Sequence, residues 1–362
     1  LESLEPRAML AVTLPPSISG DTIEIDDNLI VTNGSWSVTA TGAGGSDGHV
    51  QIFGNSRGRI DGTAGDLNED LTLQADTYIT VTGGIGSTQR IDDLTLTSDT
   101  AQPVNLQQSV SLTGNLLVTK AGSFTVGSTV DIDGNLTITD ATSVNFAGNV
   151  TVDGNLTIVS ATSVTFGGTL TVGGSLTIVS ATGTTRFLGD VSVKDAAITS
   201  SSLVQVMANF TSSGASGVDG DVTFTTDQVS FGTATIGTTA TAVGAPTATL
   251  TIQPRTVSRD LTIASPPGVP SGLNITDAAI FAIQSGWKRV VFGDEAAGTG
   301  AVKIGSIGSQ YGGFSQLLNT TTIVGGSVQV VQPVDVTSQA VYLELLARTG
   351  GITIDAPINQ TA

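Results

Sequence analysis

Residues 114–194 read GNLLVTKAGSFTVGSTVDID (114–133), GNLTITDATSVNFAGNVTVD (134–153), GNLTIVSATSVTFGGTLTVG (154–173) and GSLTIVSATGTTRFLGDVSVK (174–194). Gly114, Gly134, Gly154 and Gly174 are 20 residues apart, with no insertion among them. A period of this length is the signature of a solenoid. Three short alternating runs fit in each period. The first is Leu116/Val118 and its repeats Leu136/Ile138, Leu156/Ile158 and Leu176/Ile178. The second is Phe124/Val126, then Val144/Phe146 and Val164/Phe166; the third is Val130/Ile132, then Val150/Val152 and Leu170/Val172. Apolar residues alternating with Thr, Asn or Ser describe a strand with one buried face. Three such strands per period predict one triangular turn of a right-handed parallel β-helix, with successive coils about 4.8 Å apart. Antiparallel hairpins fit less well, because residue n matches residue n+20 in type. Coils of about 20–24 residues are expected, with one short helix over 276–285.

The same register stacks Asn115, Asn135 and Asn155 at one corner. Buried amides must find partners, and stacked Asn side chains satisfy one another as an internal ladder along the coil axis. The competing reading is glycosylation at the triplets beginning at Asn135, Asn149 and Asn155. Asn115 shares the column without the triplet, which favours the ladder. Ala121, Ala141, Ala161 and Ala181 form a further column, suited to a tight inward bend.

Composition agrees with a thin β column. The 362 residues include 45 Gly but only 4% aromatic residues, so the core must draw on Val, Ile, Leu, Thr and Ala. The formal charge is −18, from 31 acidic and 13 basic residues, which disfavours nucleic acid and anionic lipid as partners. Cys is absent, so thiolate sites, disulfides and Cys nucleophiles are excluded. No apolar run is long enough for a membrane-spanning helix. The chain does not begin with Met and shows no signal peptide, which points to a start removed in maturation or to a fragment.

Working outward, six segments are expected. Residues 1–17 form an N-terminal segment, 18–113 the first coils with loops, and 114–194 the regular repeat. Residues 195–272 form irregular coils, 273–309 a helix–strand module, and 310–362 the last coils. In the module, Thr276-Asp277 can cap a helix and Gly286 can end it, before a strand over 289–292. Trp287 reads as a residue packed on that helix, with a sugar-stacking platform as the alternative. Gly/Ser/Thr-rich loops interrupt the pattern at 212–220 and 232–246.

The stretch Leu4-Glu5-Pro6-Arg7-Ala8-Met9-Leu10 resembles the LEPR-type N-terminal motif of giant secreted or surface proteins of planctomycetes and some other Gram-negative bacteria. Met9 stands where that motif usually has Leu. ITDAAIFAIQSGWKRVVFGDEAAGTGAVKIG (275–305) looks like a module of the same proteins, and GGITIDAPINQTA (350–362) resembles coil ends of filamentous-haemagglutinin-like proteins. Asp294 occupies a place where many members carry Arg, which puts any role of that Arg in doubt. The resemblance implies export, an extracellular or bacterial cell-surface location, and a long surface polypeptide.

The sequence offers few candidates for chemistry. Asp133 and Asp153 stack one period apart with Asp131 nearby, a candidate Ca²⁺ site set against ordinary turn chemistry. No other cofactor is expected. Asp26/Asp27, Asp92/Asp93 and Asp294/Glu295 are acidic pairs, but consecutive strand residues face opposite ways and need not converge. His49 is the one histidine and lies in a Gly-rich stretch without a GxSxG motif, near Arg57 and Arg59. The expected function is therefore a non-enzymatic β-helix rod in a surface fibre or stalk. It would associate end to end or continue a larger chain. An adhesin binding glycans through its loops is the alternative, followed by a polysaccharide-active β-helix enzyme.

Overall fold

The computed structural model describes residues 17–20, 22–25, 28–32, 34–41, 48–53, 58–64, 68–99, 101–214, 220–239, 241–242, 245–264, 272–284, 286–305, 320–336 and 342–360. The LEPR-type motif at 4–10, the pair Asp26/Asp27, Arg57 and parts of both Gly/Ser/Thr-rich loops (215–219, 240 and 243–244) lie outside them. The fold is a β-solenoid, almost wholly parallel β, with one short helix among the described residues. The chain divides into two compact units, Leu1–Thr142 and Ser143–Ala362. Each is built from the three alternating runs of the repeat.

In the N-terminal unit, a first face stacks Ser17–Gly20, Gly34–Ala40, Glu69–Ala75, Leu94–Thr97 and the start of Leu116–Val126. A second face stacks Ile23–Ile25, Val50–Ile52, Ile79–Val81, Pro103–Leu106 and Ser123–Val126. The third runs from Leu29–Ile30 through Ile60–Asp61, Ile85 and Val110–Leu112 to Val130–Ile132. Every neighbour is parallel, so like residues superpose on the next rung.

The C-terminal unit repeats this plan. Thr157 pairs with Thr177, Thr177 with Ala197, Ala197 with Thr223 and Thr223 with Thr251 along its first face. Rung spacing follows the expected 20–24 residues where corners are tight, and inserted loops widen it elsewhere. Gly34 pairs with Glu69 in the first unit and Leu250 with Val290 in the second. The wide second case contains an extra rung. Leu261–Ile263 pairs on one edge with Ala301–Ile304 and on the other with Leu273–Ile275, a strand that follows it in sequence. The chain therefore climbs one rung and steps back before the helix.

That helix covers Asp277–Ala282, with Thr276 as N-cap accepting from the Ala279 amide at 3.2 Å. It ends sooner than the sequence suggested, because Ile283 joins Ile236 in a parallel bridge and the Gln284 amide donates to the Ile236 carbonyl. The strand Arg289–Phe292 then follows as expected.

The core is a row of β-branched and Leu side chains with an aromatic spine. Phe146 stacks on Phe166 and Phe166 on Phe187, with centroids 5.3 and 5.4 Å apart. Phe187, Phe210 and Phe224 continue it edge to face. Both geometries are favourable for aromatic pairs. Phe187 is fully buried between two neighbours. Phe187→Ala should cost about 3–5 kcal/mol, read as a lowered urea midpoint, whereas replacement of exposed Leu188 should leave the midpoint nearly unchanged.

Candidate functional site

The corners carry the polar chemistry. Where the chain bends, an amide points at the neighbouring rung with no strand partner. In the N-terminal unit, Asp93 Oδ1 accepts from the Asn115 amide (2.6 Å) and Asn115 Nδ2 (2.9 Å). Asn115 Oδ1 in turn accepts from the Asn135 amide (2.8 Å) and Asn135 Nδ2 (3.1 Å). In the C-terminal unit, Asn149 accepts from Thr169, Asn155 from Ser175, Asp190 from Asn209, Asp221 from Thr249 and Asp260 from Ala301, all from backbone amides. Asn115 thus bonds to Asn135 and Asn155 to Ser175, and Asn115, Asn135 and Asn155 are exposed rather than internal. The turn carries them outside the triangle, where their job is to cap amides.

This arrangement explains the paired Gly-Asn. A Cβ on Gly134 would sit 2.4 Å from the Gly114 carbonyl oxygen and 2.7 Å from Asn115 Oδ1. A Cβ on Gly174 would sit 2.3 Å from Asn155 Oδ1. The asparagine needs a glycine on the next rung to pass over.

The candidate Ca²⁺ ligands fall in different units. Asp131 and Asp133 belong to the N-terminal unit, and both bind Arg90: Nη2 lies 2.8 Å from Asp131 Oδ2, and Nη1 2.7 Å from Asp133 Oδ1. Arg90 Nε donates to Ser111 Oγ at 2.8 Å. A guanidinium thus supplies the positive charge for which the pattern nominated a metal. Asp153 lies exposed in the other unit, in the turn before Gly154. Among the described residues, no group of three or more His, Asp or Glu side chains is placed to hold a metal ion.

Asp92 and Asp93 correct the expectation that consecutive acidic residues need not converge. They sit in a corner rather than a strand, and a Cβ on Gly114 would meet Asp93 Oδ1 at 2.2 Å and Asp92 Oδ1 at 2.3 Å. Burial, then Asp93 and Asp70, push the Asp92 carboxyl above its usual range, against a weak opposing hydrogen bond from Thr113. Asp294 and Glu295 diverge. Asp294 accepts from the amides of Ala296 and Ala297, while Glu295 forms a two-pronged pair with Arg289. Arg289 also reaches Thr322 Oγ1 at 2.8 Å and Glu344 Oε2 at 3.2 Å, joining three rungs. Sequence periodicity did not reveal that lock, because loops of unequal length separate its members.

His49 stacks on Tyr78 (centroids 4.5 Å apart) with Nε2 3.5 Å from Glu24 Oε1. Trp287 is 2% exposed and donates from Nε1 to the Ile236 carbonyl, so its ring is packed and presents no surface platform. No helix of the described residues is long and apolar enough to cross a membrane.

The corners and faces define a β-solenoid whose polar groups chiefly tie one rung to the next. No family model, no curated protein and no solved structure matches the chain.

Gly134→Ala should destabilise the N-terminal unit more than Asn115→Ala does, since it strikes backbone as well as side chain. Asn115→Ala should cost about 0.5–1.5 kcal/mol and selectively speed exchange of the Asn135 amide. Hydrogen exchange with residue resolution separates the two effects.

Proposed function

We propose that this chain is a non-enzymatic structural element of an extracellular, filamentous-haemagglutinin-like surface protein, acting as a stiff β-helix stalk. The observation that carries the reading is the in-register parallel pairing of all three faces in each unit. Such ladders resist bending because every rung is hydrogen-bonded along the axis. Along the regular part of the first face the outward residues Thr157, Thr177, Ala197, Thr223 and Thr251 are small and neutral, which supports it.

End-to-end association is the second element of the proposal. Ile352 and Ile354 on the last described rung are 47% and 56% exposed, whereas their rung neighbours Val328 and Val330 are 1% and 0%. A further coil of a longer chain, or the β edge of a second copy, would bury them and pair the strand. Electron micrographs should show slender particles, and sedimentation velocity should show assembly that grows with concentration and is lost in Ile352→Asp/Ile354→Asp. Compact particles, together with monomers at every concentration, would overturn both elements.

The adhesin reading draws on a different observation. Thr241–Ala242 and Ala245–Pro246 form an antiparallel hairpin outside the three parallel faces. Deleting 240–247 should abolish glycan-array binding while leaving the urea midpoint unchanged if this hairpin is a contact element. Unchanged glycan binding would retire that reading, and depolymerisation of a polysaccharide by the intact chain would favour an enzyme over both.

A further inference from the structure

Negative charge is unevenly distributed. Up to residue 142 there are 18 acidic and 5 basic residues, so that unit holds −13 of the chain's −18. Four of the acidic residues gather at the corner between its third and first faces. Here Glu69 and Asp70 begin one rung, Asp92 and Asp93 the next, and Thr113, Gly114 and Asn115 the one after.

The absent side chain of Gly114 leaves room for both Asp92 Oδ1 and Asp93 Oδ1. Their distances to the same point, 2.3 and 2.2 Å, place the two oxygens no more than 4.5 Å apart. Asp93 Oδ1 accepts from two donors of Asn115. Among the described residues, Asp92 receives only the Thr113 hydroxyl, at 3.4 Å. The surrounding charges do not relieve it. Asp70, hydrogen-bonded to Ser35, adds a further negative charge. Glu69 is buried beside it with Oε1 on the Thr63 amide. Arg90, the nearby cation, is held by Asp131 and Asp133. Lys120, on the next rung's strand, is paired with Asp99.

We propose that Asp92 and Asp93 form an acid-tightened clasp, in which a proton taken up by Asp92 removes like-charge repulsion and secures this corner. The uptake is a simple protonation of the Asp92 carboxylate by solvent. Asp93 keeps its bonds to the Asn115 rung. Because the folded corner holds that proton more tightly than the unfolded chain, stability here rises as pH falls. The rise begins as Asp92 protonates in the folded state and is complete near 3.8, the ordinary carboxylate value. A surface polypeptide with this device stiffens locally in acid, whereas salt-bridged carboxylates weaken there.

Acidification also lowers the repulsion of the whole acidic chain, so the test rests on differences between variants. Native-state hydrogen exchange of the full chain, corrected for intrinsic rates, should be followed at the Asn115 and Leu116 amides from about pH 7 to about pH 4. Wild-type protection should climb on acidification, by at most about tenfold per pH unit for a single proton. Asp92→Asn should be more protected than wild type at neutral pH and lose that climb. Asp93→Asn, whose Oδ1 can still accept from Asn115, should behave likewise. Asp153→Asn in the other unit should retain the full climb. Equal pH dependence in wild type and Asp92→Asn would overturn the clasp, as would wild-type protection that falls on acidification. A flattened climb in Asp153→Asn would do the same by assigning the effect to overall charge.

Discussion

A parallel coil cannot hydrogen-bond to itself. Each strand must find its partner on the rung above or below, so every rung depends on its neighbours being in register. Straight runs satisfy this automatically, since residues 20 apart have the same inward or outward direction. Corners do not, because there the chain turns and its amides leave the ladder plane. The oxygen of an Asn or Asp side chain fills the gap, from Asp93 and Asn115 in one unit to Asn155, Asp190, Asp221 and Asp260 in the other. The Gly-Asn pairs, the tight 20-residue period and the exposed polar columns all follow from that need.

Burial then reinforces register. The fully buried spine Phe146, Phe166 and Phe187 stacks at nearly the rung repeat, so sliding one coil would break both ring contacts and backbone pairing. Because each contact is to an adjacent rung, stability accumulates locally. Large loops are tolerated provided that the chain re-enters in register. The extra rung of Leu273–Ile275 beneath Leu261–Ile263 shows how far this extends: strands need not be laid down in sequence order when edge chemistry and spacing agree.

The repeat at 114–194 made the fold and the three strand runs legible, because period-two alternation inside a 20-residue period has few other solutions. It also identified the Asn115/Asn135/Asn155 column, though not its position. Apolar alternation marks the inside of a strand, and a corner residue obeys no such alternation, so nothing in the pattern shows that the column lies outside. The same blindness hid the meeting of Asp92 with Asp93, which depends on the room left by Gly114 one rung away. It also hid Arg90 as the counter-ion of Asp131 and Asp133, since 41 and 43 residues separate it from those partners. Long loops concealed the Arg289–Glu295–Glu344 lock in the same way. Local pattern reveals elements, while side chains that meet across rungs of unequal length require the register itself.

That register is open to a direct chemical measurement, because the chain has no native cysteine. Thr157 and Thr177 are paired residues on adjacent rungs of one face, whereas Thr171 lies on another face. Adjacent rungs are about 4.8 Å apart, within the Cα separation of about 4.4–6.8 Å that a disulfide spans. Mild oxidation of Thr157→Cys/Thr177→Cys should give a near-complete intramolecular disulfide, and Thr157→Cys/Thr171→Cys should give none. Failure of the first pair to close in folded protein, or equal closure of both, would contradict the parallel 20-residue register.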